Sequence, residues 1–210
     1  MTERKPFLPQ FFVREDEGDD DRFYEQPRLV VHIDDAARAA LAECYARLLP
    51  PGGRVLDLMS SMESHLPAAP PLAGVTGLGM NAIELAANPR LTERILQDLN
   101  YAPILPFADA TFDACLIAVS VQYLTHPVEV FAEIARVLVP GAPAIISFSN
   151  RCFPTKAVAV WLGTTDGQHA WLVGEYFARA GGFDAAETLD LSPGGLGDPL
   201  WAVVARRAVG

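Results

Sequence analysis

Several polar residues in this 210-residue chain stand at spacings that could serve one ligand site. The stretch RVLDLMSSMESHLP, residues 54–67, carries Asp57 at the end of an aliphatic run, then Ser60, Ser61 and His65. An acid that closes a strand and is followed by small polar residues points at a ligand, and His65 or His32 would be the candidates for moving a proton. Asn150 and Arg151 follow another aliphatic run. Arg151 either binds an anionic group such as carboxylate or phosphate, or pairs with one of the nearby acids. Tyr24, Arg28 and Tyr123 are candidates for the same substrate-binding wall. Cys152 lacks a paired histidine and reads as a small hydrophobe.

These groups meet only if the intervening elements deliver them to one rim. Pro51-Gly52-Gly53 launches a strand over 54–58, and in open α/β sheets the ligand crevice lies beyond the carboxyl ends of the strands. Further strands are expected over 74–78, 95–99, 112–119 and 144–149. The last pair is expected over 184–190 and 201–206. Helices are expected over 36–49, capped by Asp34 or Asp35, over 81–88, stopped by Asn88-Pro89, and from Pro127 to a stop at Pro140-Gly141. A helical turn over 91–96 and a helix over 173–180 complete the pattern. Strand and helix alternate until two strands close the chain. That order implies an α/β architecture, a doubly wound and mainly parallel sheet with an antiparallel edge.

At 210 residues the expectation is one domain, residues 36–210, preceded by an arm, residues 1–35. The arm holds Phe7, Phe11 and Phe12 and an acidic run over 15–21 that reads as a solvated, mobile turn. A net charge of -10 with 16 basic residues argues against a nucleic-acid partner and an acidic membrane surface. The charged, proline-broken start and the lack of any ~18-residue apolar run make a cytosolic location the expectation. Cys44, Cys115 and Cys152 show neither disulfide nor metal-site spacing. Oligomeric state stays open.

The series VLDL at 55–58, VTGLGMN at 75–81, LQDLN at 96–100, LPFADATFDACLIAVSVQYL at 105–124 and EIARVLVPGAPAIISF at 133–148 resembles class I S-adenosylmethionine-dependent methyltransferases. It is similar to the broad group of the type 11 kind, in a branch carrying DLxSSxxSHLP and GLGMN, and spans roughly residues 50–150. The resemblance implies a Rossmann-like seven-stranded sheet of order 3-2-1-4-5-7-6 with strand 7 antiparallel, S-adenosyl-L-methionine as cofactor and a small-molecule acceptor. It places Met59, Ser60 and Ser61 in the loop that family members build from glycine. There the serines would meet the cofactor carboxylate and Asp57 its ammonium.

Gly79 falls where the family has an acid for the ribose hydroxyls, with Asn81 or Glu84 as substitutes and Met80 against the adenine. Asp98 matches the acid that accepts from the adenine amino group, with the N–H of Leu99 addressing a ring nitrogen. Ala118 and Val119 match the backbone beside the methionine part. Related enzymes often place a lid where the arm and His32 stand. The alternative is a noncatalytic methyltransferase-like binding or regulatory protein. A nicotinamide dehydrogenase would need a G-x-G-x-x-G turn that MSSMES lacks.

Overall fold

The computed structural model describes residues 6–210, so the first five residues of the expected arm lie outside the described residues. Aliphatic runs form the strands β1 (Arg54–Leu58), β2 (Gly74–Gly79), β4 (Ala114–Ala118) and β5 (Pro143–Ser149), and almost every residue in them is buried. Such runs suit strands covered on both faces by helices. With β3 (Glu93–Leu96), β6 (Glu187–Asp190) and β7 (Leu200–Arg206) they make one seven-stranded sheet of order β3-β2-β1-β4-β5-β7-β6. β7 runs antiparallel to both neighbours, and the other pairings are parallel. The expected topology is therefore the observed one.

Helices cover both faces. On one, α4 (Pro127–Val137) and α6 (Asp166–Ala180) bring Phe131, Ile134, Tyr176 and Phe177 onto Ile117, Ile146 and Val203. On the other, α2 (Asp35–Leu48) buries Ala37, Leu41 and Tyr45 against Val55, Leu116 and Ile145. Asp34 caps α2 by accepting from the Ala37 N–H at 2.8 Å. Thr165 and Gln168 form a capping box at the start of α6, which begins seven residues before the expected boundary.

Two local expectations need correction. Residues 91–96 are not a helical turn, and the third strand is Glu93–Leu96 rather than 95–99. This strand lies at the sheet edge with three of its four side chains exposed, so its pattern lacks the apolar run that marked the central strands. The acidic run is not wholly solvated either. Asp20 in α1 (Asp20–Tyr24) is only 5% exposed and pairs with Arg14 at 2.8 Å and Lys156 at 2.9 Å. Burial alone would raise its carboxyl, but hydrogen bonds from Arg14, Asn100 and Lys156 outweigh that and hold it below the usual range. Lys156, itself 1% exposed, also donates to the Gly18 carbonyl at 2.8 Å and so ties the arm to the segment after β5.

Candidate functional site

The register aligns the carboxyl ends of the central strands, with Leu58 beside Leu78 and Ile117, and Gly79 beside Leu96. Beyond those ends lies a cavity of about 340 Å3, within the range of small-ligand pockets. The strand ends contribute Asp57, Gly79, Asp98 and Ala118 to its lining, and the arm contributes Tyr24, Arg28 and His32. Met59, Ser60, Ser61, His65, Met80, Asn81, Leu99, Tyr123 and Arg151 line it too. Of the expected site residues only Asn150 is not among its walls. It is exposed just after β5 and contacts the Ser149 hydroxyl at 3.4 Å.

The loop after β1 turns without glycine at a cost in backbone strain. Met59 takes φ 55°, and Val119, facing the cavity after β4, takes φ 46°. A β-branched residue in this region is unusual, and each such conformation costs about 1–3 kcal/mol. The loop then runs along β2, where the Ser60 N–H donates to the Leu78 carbonyl at 2.8 Å. A Cβ at Gly79 would stand 2.2 Å from the Ser60 carbonyl oxygen. The loop backbone therefore fills the space that a side chain at position 79 would need.

Asp57 is buried at the bottom of this loop and accepts from the Ser60 and Ser64 hydroxyls, both at 2.6 Å and both on Oδ2. Burial pushes its carboxyl up to about 6, and the two hydroxyls limit the rise. Ser60 therefore has both its hydroxyl and its N–H engaged within the chain. Ser64, seven residues from Asp57, was missed in the sequence, and residues 60–64 form no helix or strand whose spacing would have pointed to it.

Of the two substitutes for the absent acid, Asn81 is committed to structure. Its Oδ1 caps α3 (Ala82–Ala87) by accepting from Ile83 and Glu84 N–H groups, and its Nδ2 donates to the Tyr24 carbonyl at 2.8 Å. Glu84, 7% exposed, lines the cavity and accepts from the Arg28 N–H and the Ser61 hydroxyl, each at 2.6 Å. Asp98 lies two residues past β3, where its Oδ1 accepts from the Asn100 N–H at 2.8 Å and burial raises its carboxyl.

The cavity's charges sort cleanly. Glu63 pairs with Arg38, and Asp20 with Arg14 and Lys156. Arg151 is tied to Asp198 by Nε at 2.9 Å and by a second nitrogen at 2.8 Å. Among the described residues, no ion pair engages Asp57, Glu84, Asp98 or Arg28. Three carboxylates and one guanidinium therefore face this cavity without a charged partner from the chain.

The two histidines both line the cavity and burial lowers both, so each imidazole is neutral at pH 7. His65 Nδ1 is buried with no hydrogen-bond partner and lies 3.7 Å from Glu63. His32 packs edge-on to Phe153 with ring centroids 5.5 Å apart. Among the described residues no cluster of His, Cys, Asp or Glu could hold a metal ion, and no helix is long and apolar enough to cross a membrane.

Comparison with known proteins places this geometry. Residues 67–146, under half of the chain, match the family model of the methyltransferase domain. No curated protein matches the chain in sequence. Among solved structures, a chain of the complex between the Haloferax volcanii Trm112 methyltransferase activator and a methyltransferase aligns with TM-score 0.62 at 16% identity, covering 90% of this chain and 94% of that one. A SAM dependent methyltransferase from Aquifex aeolicus aligns with TM-score 0.58 at 16% identity, over 97% of this chain and all of that one. The cyclase SpnF aligns with TM-score 0.59 at 17% identity, over 90% and 92%. The fold is that of S-adenosylmethionine-dependent methyltransferases, and SpnF makes plain that this fold also carries other chemistry.

Proposed function

We propose that the protein binds S-adenosyl-L-methionine in this cavity and transfers its methyl group to a small-molecule acceptor. The observation that carries the reading is the set of three carboxylates without an ion-pair partner, Asp57 in β1, Glu84 in the first turn of α3 after β2, and Asp98 two residues past β3, all lining the cavity. A cofactor with an ammonium, two ribose hydroxyls and an adenine amino group offers three sets of donors, one for each. Asp57 would hold the ammonium, Glu84 the ribose in place of the acid excluded at position 79, and Asp98 the adenine. Met80 and Leu99, both in the lining, would flank the adenine, and the backbone at Ala118 would pass the methionine part.

When bound, the cofactor supplies an electrophilic methyl group on sulfur. The chain's part is to align an acceptor lone pair with that group and to exclude water. Tyr24, Arg28 and His32 would close over the ligand as a lid, anchored at its base by the buried Asp20 and Lys156. His65, neutral and with an unpartnered buried nitrogen, is the better placed base for an acceptor that arrives protonated.

A second reading, ligand binding without methyl transfer, is favoured by the engaged donors of Ser60, which are no longer open to a cofactor carboxylate. Isothermal titration with S-adenosylmethionine and S-adenosylhomocysteine tests the first requirement of both readings that involve the cofactor. Binding of each at one site is expected, and no heat at millimolar ligand would rule the methyltransferase out. Slow radiolabelled methyl transfer to any member of a small-molecule panel separates the enzyme from the binder.

A further inference from the structure

The cation among the unpaired charges has a setting of its own. The Arg28 guanidinium carbon sits 4.3 Å from the centre of the Phe23 ring, 5.2 Å from Phe153 and 5.5 Å from Tyr24. Three rings surround the charge, but an aromatic ring offers a guanidinium N–H no oxygen or nitrogen acceptor. Its NH1 nitrogen is shielded from solvent and has no hydrogen-bond partner. A buried donor left without an acceptor is costly, and a charged one more so. The shelf is built from the arm and from the segment after β5, with Tyr123 stacked on Phe153 at 6.0 Å. Arg151, the arginine whose place in the sequence suggested an anion site, is instead neutralised by Asp198.

We propose that Arg28 is the cavity's receptor for an oxyanion, carboxylate or phosphate, carried by the molecule that fills it. The inference rests on reading the cavity as a small-molecule site. The planar fork of a guanidinium matches such a group by two parallel hydrogen bonds, and the flanking rings suit an aromatic or apolar body beside it. The oxyanion has two possible sources, the acceptor or the cofactor's own carboxylate. The ring shelf comes from the arm and the β5 exit and includes nothing from the β1 loop, which favours the acceptor.

The test titrates the whole chain and its Arg28→Gln and Arg28→Lys variants with four probes: phenylphosphate, neutral benzyl alcohol, S-adenosylhomocysteine and 5′-methylthioadenosine, which lacks the amino acid. If the acceptor is the source, Arg28→Gln weakens phenylphosphate at least tenfold, leaves benzyl alcohol and both nucleosides within twofold, and Arg28→Lys recovers only part. If the cofactor is the source, Arg28→Gln weakens S-adenosylhomocysteine at least tenfold and spares 5′-methylthioadenosine. Either pattern supports the receptor and names its ligand. Unchanged binding of every probe in a variant with wild-type melting temperature would overturn it. So would equal weakening by Arg28→Gln of neutral and anionic probes, the mark of a purely structural role. Absence of nucleoside binding in the wild type would defeat the methyltransferase reading alone, since phenylphosphate still reports on Arg28.

Discussion

Asp57 should make cofactor binding depend on pH in a calculable way. Its carboxyl is pushed up to about 6 from an ordinary 3.8 because it is buried, so the folded protein holds this proton more tightly than the unfolded chain. The sign follows: between pH ~4 and ~6 the folded state binds more protons, and this group's effect on stability becomes less favourable as pH rises, levelling off above ~6. The difference is worth about 3 kcal/mol at neutral pH. A ligand ammonium beside the carboxylate supplies the missing countercharge and lowers that pKa again. Binding should therefore release a proton, about half an equivalent at pH 6, and affinity should fall about tenfold from pH 7 to pH 5.

The assay is isothermal titration of S-adenosylhomocysteine between pH 5 and 7.5, where the amino group of a free amino acid stays protonated, in buffers of different ionisation enthalpy. Tyr45 and Cys115, which feel the Asp57 charge, are pushed upward by burial and do not titrate in this window. His65 and His32 are lowered and Asp98 is raised, so all three compete in the same cavity and Asp57→Asn is the control. That variant should bind weakly at every pH and lose the proton release. It should also gain up to about 3 kcal/mol of stability at pH 7.5, because the rise to about 6 already sets burial against the two hydroxyl hydrogen bonds. Affinity that is flat between pH 5 and 7.5, or a dependence that persists unchanged in Asp57→Asn, would refute the reasoning.

Other perturbations read different parts of the molecule. Gly79→Asp should not restore a ribose acid but destabilise the protein by about 3 kcal/mol or more, measured by urea unfolding, because its Cβ would meet the Ser60 carbonyl at 2.2 Å. Glu84→Gln should weaken 5′-methylthioadenosine by about tenfold while leaving the melting temperature within a few degrees. Lys156→Met should cost about 3–5 kcal/mol, since it leaves Asp20 buried without one of its two cations, and should expose the arm to limited proteolysis. Hydrogen exchange over residues 24–32 should slow on adding S-adenosylhomocysteine if the arm closes as a lid.

How much of this was legible depended on where the determining contacts lie. The strands β1, β2, β4 and β5 announce themselves because burial on both faces demands continuous apolar runs, and Asp57 stands out as the acid inside one. The edge strand β3 carries no such demand, so its place was misread. Long-range pairings were out of reach. Lys156 meets Asp16 and Asp20 across more than a hundred residues, and Arg151 pairs with Asp198 from across 47 residues. Position 79 could be seen to lack its acid, but the reason, the Ser60 backbone lying across it, appears only in three dimensions. Likewise Glu84 and Asn81 looked equivalent until the cap of α3 claimed Asn81.

The most direct measurement is a crystal structure of the chain with S-adenosylhomocysteine. The ligand amino group should lie on Asp57, both ribose hydroxyls on Glu84 and the adenine amino group on Asp98. A ligand bound elsewhere, or one whose ribose turns away from Glu84, would contradict the assignment of these three carboxylates.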